Sequence, residues 1–286
     1  MDLVLGTLSL RPYVFAFLAL FLVAGAADLG WRRTLGFGAS VWPVAWLAEF
    51  SSTRTGIPFG LYHYTGATRG RELYIADGPF GDALSFPFLA YAALCLARAA
   101  LGRRRPSRRA LALSAGVLMM ALDVVIDPLA VRGDRWFLGR IFSYPDGGVY
   151  FGVPLSNFAG WVVVGTVGVG IYLFVAGAPG SAWTEGGLKQ AHGAPVAESA
   201  RGGAGGLKQA HGAPVAESAR GGRVWPGVAL YYVVLGFNLA VTAWIGEWTL
   251  VASGSALHAA IAVAIRCLHR LPGRAPGLEN RGAQRA

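Results

Sequence analysis

Charge is scarce in this chain. Only 14% of its 286 residues are Asp, Glu, Lys or Arg, against about 25% in an average soluble domain. Mean hydropathy is +0.47. These values exclude a disordered chain and a coiled coil. They also exclude a nucleic-acid-binding domain despite a net charge of +10, because the arginines stand in short clusters between long apolar runs rather than on one basic face. The only lysines are Lys189 and Lys208, which removes the Schiff-base lysine that a seven-span retinal protein needs. Two cysteines, Cys95 and Cys267, make no disulfide framework and no CxxC metal pair. Five scattered histidines are too few for a di-iron oxygenase. No nucleophile elbow, phosphate loop or dinucleotide fingerprint is present, and no metal site is expected.

What is abundant is apolar sequence, 54% of residues, and glycine, with 41 copies. Small residues at that level suit close helix packing in lipid. A spanning helix needs about 20 mostly apolar residues, and seven segments qualify, at about 12–29, 35–50, 82–101, 110–131, 153–176, 224–245 and 248–267. The fold class is therefore an all-α polytopic membrane protein of about seven helices. The second span is short and contains Pro43, and the very tight turn between the last two leaves room for partial re-entrance. Ala24 to Ala27 resembles a signal-peptidase site, but two arginines follow and the run is read as a retained span. Placing the N-terminus outside and the C-terminus in the cytoplasm puts 18 of the 25 basic residues on the inner side and seven on the outer, the bias that cytoplasmic loops carry. A bacterial-type inner cell membrane is the expected location.

Residues 178–223 differ in kind. A 19-residue unit beginning at Gly186 recurs from Gly205. Two Gly/Ala-rich copies cannot stack as a solenoid, so the segment reads as a flexible cytoplasmic loop. His192 and His211 are copies of one linker histidine. The chain divides into spans one to five (1–177), this loop, spans six and seven (224–267) and a tail (268–286).

Ionisable groups within spans are costly and mark function by default. They are Glu49, Asp82, Asp123, Asp127 and Glu247, with Asn157 opening span five. Asp28 is read as a partner for Arg32 or Arg33. In the expected topology all six site groups fall in the outer half of the bilayer, next to loops rich in Tyr, Trp, Phe and Gly. This predicts a polar pocket near the outer interface, rimmed by aromatic side chains. Asp123 and Asp127 are four apart and share a helix face. Two carboxyls that close can divide acid and base roles between them. The bland alternative pairs Asp123 with an arginine such as Arg54. DVVID also matches the DxxxD of diphosphate-binding prenyltransferases, but no second Asp-rich motif accompanies it.

The runs EFSSTRTGIPFGLYHYTG, GDALSFPFLAYA, DVVIDPLAV and YFGVPLSNFAGW, within residues 40–175, resemble the integral-membrane carotenoid biosynthesis family. That family includes carotenoid 1,2-hydratases of the γ-carotene and bisanhydrobacterioruberin pathways. The resemblance implies cofactor-independent addition of water across the terminal C1–C2 double bond of a linear (ψ) end group. Its substrate would be a carotenoid in the bilayer, with other enzymes of carotenoid biosynthesis as candidate partners. Asp123 or Asp127 would deliver the proton, and Glu49 or Asp82 would orient water. Asn157 would bind water or a carboxylate, with Glu247 in the same layer. Tyr62, Tyr64, Trp136 and Trp161 would line the end-group site, with His63 as a proton relay. Two other readings remain open: a different end-group enzyme, such as a cyclase or a prenyltransferase-like protein, and a non-catalytic carotenoid or lipid carrier.

Overall fold

The computed structural model describes residues 2–104, 106–175 and 224–270. The duplicated loop, with His192 and His211, and the tail beyond residue 270 lie outside the described residues. The described part is a helical bundle. Helix α1 (Leu3–Leu10) meets α2 (Pro12–Asp28) at 86°. Then come α3 (Trp31–Thr55), the short α4 (Phe80–Ala83), α5 (Ser85–Leu101), α6 (Arg108–Ala130), α7 (Leu155–Val175), α8 (Trp225–Trp244) and α9 (Trp248–Arg270).

Five helical segments are long and apolar enough to span a membrane: α4 with α5, then α6, α7, α8 and α9. The bent α1–α2 pair makes a sixth if it is one span. The protein is thus a multi-pass membrane protein. Helix α3 falls outside the apolar set because Gly, Ser, Trp and Pro dilute its apolar middle and Arg32, Arg33 and Arg54 stand at its ends, although its 25 residues exceed the 35–50 expected. Pro43 does not end it. The helix stops only at Gly56, whose left-handed φ of +76° lets its N–H bond to the Ser52 carbonyl. Helices α8 and α9 are joined by a tight turn at Gly246, and each is long and apolar enough to cross a membrane by itself.

Helix α5 is the centre of the bundle, buried continuously from Phe86 to Ala97. Its alanines let α2, α3, α6 and α8 approach. Helix α9 is peripheral and buries only Leu250, Gly254 and His258. The most extensive helix pair is α6 with α7, which meet through Gly116 and Gly165. A Cβ on Gly116 would stand 2.3 Å from Thr166 Oγ1 and 2.5 Å from the Val162 carbonyl oxygen. Gly116→Ala is therefore expected to lower stability by about 1–3 kcal/mol, seen as a fall in Tm in detergent. An unchanged Tm would mean that the pair is looser than this geometry.

At the end of the bundle opposite to the loops described next, Asp28 pairs with Arg98, Nη1 to Oδ2 at 2.5 Å, and accepts from the Tyr91 hydroxyl at 3.3 Å. The expected partners Arg32 and Arg33 are exposed on the first turn of α3. Asp28 instead turns inward, where a buried carboxylate requires a buried cation.

Two small antiparallel ribbons close the other end. Strand β1 (His63–Tyr64) pairs with β4 (Phe142–Ser143), tying the loop after α3 to the loop after α6. Strands β2 (Tyr74–Ile75) and β3 (Gly78–Pro79) form a hairpin that leads into α4. The Leu73 amide donates to Thr7 Oγ1 at 2.8 Å, docking α1 onto the same loops.

Candidate functional site

Under this roof lies a cavity of about 140 Å³. Its polar wall is assembled from separate elements: Arg11 at the α1–α2 break, Glu49 on α3, Asp82 on α4, Asp127 on α6 and Asn157 on α7. Tyr62, Tyr64 and Tyr144 complete it from the loops, and Asn238 from α8. The facing wall is apolar and includes Phe17, Phe59, Phe86, Phe88, Phe142 and Trp161. Phe86 and Trp161 stack with ring centroids 4.6 Å apart and planes at 15°.

The i, i+4 spacing on α6 separates the two aspartates in depth. Asp127 faces the cavity, whereas Asp123 is fully buried behind it and does not line it. One amide bridges them: Asn157 Nδ2 donates to Asp123 Oδ2 and to Asp127 Oδ2, each at 2.7 Å. Trp161 Nε1 donates to the same Asp127 oxygen at 3.3 Å. Asp123 Oδ1 is buried without a hydrogen-bond partner among the described residues. Arg54, weighed as a partner for Asp123, pairs with Asp77 at 2.6 Å instead. Arg54 ends α3 in the loop layer, beyond reach of a group buried within α6.

Tyr64 lines the same cavity as Glu49, Asp82 and Tyr62, and its ring meets that of Tyr62 edge-on with centroids 5.5 Å apart. Burial, and next the Glu49 carboxylate, push the Tyr62 and Tyr64 phenols above their ordinary range. Burial followed by Asp127 and Asp123 does the same to Tyr144. The site tyrosines are therefore neutral donors throughout the workable pH range. Up to pH about 10, Tyr64→Phe should lower activity by the same factor at every pH, and a change in the alkaline limb would contradict this assignment.

Several expected groups are not part of the cavity. Glu247 is drawn away by Arg132, 3.1 Å from its Nε, and by Arg135, and it ties the α8–α9 turn to the loop after α6. His63 is exposed, because pleating turns it away from Tyr62 and Tyr64 on either side. Trp136 is buried in a neighbouring cluster with Leu129 and Val241, donating to the Leu129 carbonyl at 3.2 Å.

The sequence reading missed Arg11 and Glu72. Arg11, 3% exposed, forms a two-pronged pair with Glu72, 0% exposed, at 2.9 and 3.0 Å, and a third contact with Asp82. The signal was available: Arg11-Pro12 interrupts a continuous apolar run, and the rule applied to the spans marks such an arginine as functional. Starting the first span at Pro12 put Arg11 in a loop. Tyr13, Tyr144 and Asn238 were likewise unread. Among the described residues no group of three or more His, Cys, Asp and Glu side chains is arranged to hold a metal ion.

Comparison with known proteins places this arrangement in context. The family model described as Carotenoid biosynthesis protein matches residues 5–192. Over 171 residues the chain is 33% identical to a bisanhydrobacterioruberin hydratase of Haloarcula japonica, covering 58% of this chain and 55% of that protein. The chain thus spans about half the length of this curated relative. No solved structure matches. A multi-pass bundle that gathers the EFSSTRTGIPFGLYHYTG, DVVIDP and GVPLSNFAGW motifs around one cavity, and matches the family model over most of its length, belongs to the carotenoid biosynthesis protein family.

Proposed function

We propose that the protein is a carotenoid 1,2-hydratase, adding water to the terminal double bond of a ψ end group to give a tertiary alcohol. The observation that carries this reading is the cavity itself. Asp127 is fixed by Asn157 and Trp161 and faces the space walled by the stacked Phe86–Trp161 pair. Acid and aromatic surface meet at one point, as protonation of an isolated alkene requires. The Haloarcula relative, a hydratase by name, agrees in reaction class.

Asp127 donates its proton to C2. The alkene π pair becomes the new C–H bond, and positive charge develops at the tertiary C1. Aromatic faces and the remaining carboxylates stabilise that charge. Water oriented by Glu49 or Asp82 adds through oxygen to C1, and the proton released from it passes to a carboxylate. Asn157 bridges Asp127 to Asp123, so Asp123 sets the state of the donor from behind. Proton gain and loss balance, and the net change is addition of one water.

A cavity of about 140 Å³ compares with the roughly 150 Å³ that accommodates benzene in an engineered core. It suits an end group, with the polyene left in lipid about 30 Å thick. The arginine bias favours an orientation with this end of the bundle at the outer interface, where water is at hand.

The test is expression in a bacterium that accumulates lycopene or γ-carotene, followed by chromatography with mass and absorbance detection. A more polar product, one water heavier and with an unchanged visible spectrum, is expected. A blue-shifted product of unchanged mass would replace hydration by cyclisation. An unaltered profile with these and with elongated acyclic carotenoids would reject the enzyme in favour of a carrier.

A further inference from the structure

A second, smaller cavity of about 20 Å³ lies between α3 and the β2–β3 hairpin with α4. It is not an extension of the apolar space. Trp42, Trp46, Glu49, Phe50, Thr53 and Arg54 line it from one face of α3, the 3–4 residue spacing of a helical stripe. Asp77 from the hairpin and Ala83 from α4 close it. Glu49 and Tyr64 line both this cavity and the large one, so these two side chains form the partition between them.

We infer that this small cavity is a water-binding site that supplies the reaction through Glu49, so that water and carotenoid reach the reacting carbon from different sides. The inference rests on the hydratase reading for its role, but the water site itself does not.

Three observations carry it. The volume fits one water, which needs roughly 10–15 Å³ on this measure, and is far too small for a carotenoid end group. The polar partners are present: Glu49 accepts, the Tyr64 hydroxyl donates or accepts, and Trp42 Nε1 is a buried donor with no hydrogen-bond partner among the described residues. A buried water typically makes about three such bonds. The far end of the cavity reaches the loop layer at the Arg54–Asp77 ion pair, whose side chains are 41% and 53% exposed. That exposed pair marks a polar mouth at the loop surface.

The arrangement answers a requirement of the chemistry. A large cavity filled by an apolar end group excludes water from the face the substrate occupies. The second reactant then needs its own path, and Glu49 stands at the only wall common to both spaces.

The experiment uses the full-length protein purified in detergent. Ala83→Leu fills the small cavity without touching the large one, because Ala83 lines only the former. Its turnover is expected to fall by about tenfold or more, with KM for the carotenoid within about twofold. Trp42→Phe removes the donor while keeping an aromatic ring of smaller volume at the cavity wall, and is expected to cost a few-fold in turnover. It carries the test if Ala83→Leu does not fold. Wild-type turnover in a well-folded Ala83→Leu protein, or in Trp42→Phe when that variant carries the test, would overturn the inference.

A second measurement does not depend on activity. X-ray radiolysis generates hydroxyl radicals from bound water and labels the side chain beside it. Trp42 should be labelled in the wild type and protected by at least about threefold in Ala83→Leu. Protection of Trp42 already in the wild type would overturn the water site. If the wild type forms no hydrated product from any acyclic carotenoid, the hydratase reading fails by itself, and the labelling still decides the site.

Discussion

An Asp127→Asn protein is expected to lose hydration by about 10²–10⁴-fold, the range over which a positioned general acid acts, while remaining in the membrane and still binding carotenoid. The amide keeps the shape of the carboxyl and its contact with Trp161 Nε1, so packing is nearly preserved. What disappears is the acidic proton facing the cavity. Asp123→Asn should cost less, about 10–100-fold, because Asp123 acts through Asn157 and does not line the cavity. Both are read from product formed per unit of membrane protein, with carotenoid binding followed by the visible spectrum of the purified complex. Full activity in Asp127→Asn would move the donor role to Glu49 or Asp82. Equal losses in the two variants would mean that the pair acts as one unit.

Arg11→Met is expected to have the largest effect on stability. It leaves Glu72 buried without a cation and strips Asp82 of its partner. Removing one member of a buried pair costs about 3–5 kcal/mol, a large share of a typical net stability of about 5–15 kcal/mol. The expected readout is a steep fall in Tm in detergent and in the yield of folded protein. Arg11→Lys should recover only part of it, since a point charge cannot reproduce the fork that contacts Glu72 at both oxygens. Adding Glu72→Gln to Arg11→Met should restore part of the lost stability, because it removes one of the two stranded carboxylates. If the double variant is as unstable as Arg11→Met, the loss stems from Asp82 or from the α1–α2 break rather than from the Arg11–Glu72 pair.

Much of this was legible in the residues. Long apolar runs specify helices in lipid because every backbone polar group must be satisfied within the segment. The rarity of charge inside those runs then singled out Glu49, Asp82, Asp123 and Asp127. Asn157 was marked by standing at the head of an apolar run beside the GVPL turn. The rest was not legible, for identifiable reasons. Glu72 lies in a polar loop, where a carboxylate attracts no notice, and its partner is 61 positions away in the chain. Glu247 occupies a helix end like the others, and only the position of Arg132 and Arg135 shows that its charge is spent on a tie between loops. His63 and Tyr64 are neighbours in sequence, yet the pleat of β1 sends one outward and the other into the cavity wall.

The sequence by itself determined that the chain is a helical membrane protein, that its costly carboxylates gather at one end, and that Asp123 and Asp127 share a face. Those properties follow from local periodicity and from the penalty on charge in hydrocarbon, both of which act along the chain. Which carboxyl meets the cavity, which is held behind it and which is neutralised elsewhere was decided by tertiary structure alone. The reason is that a buried charge is tolerated only beside its partner. Arg11 with Glu72 and Asp82, Asn157 with both aspartates, and Arg132 with Glu247 are brought together by helix packing between residues far apart in the chain.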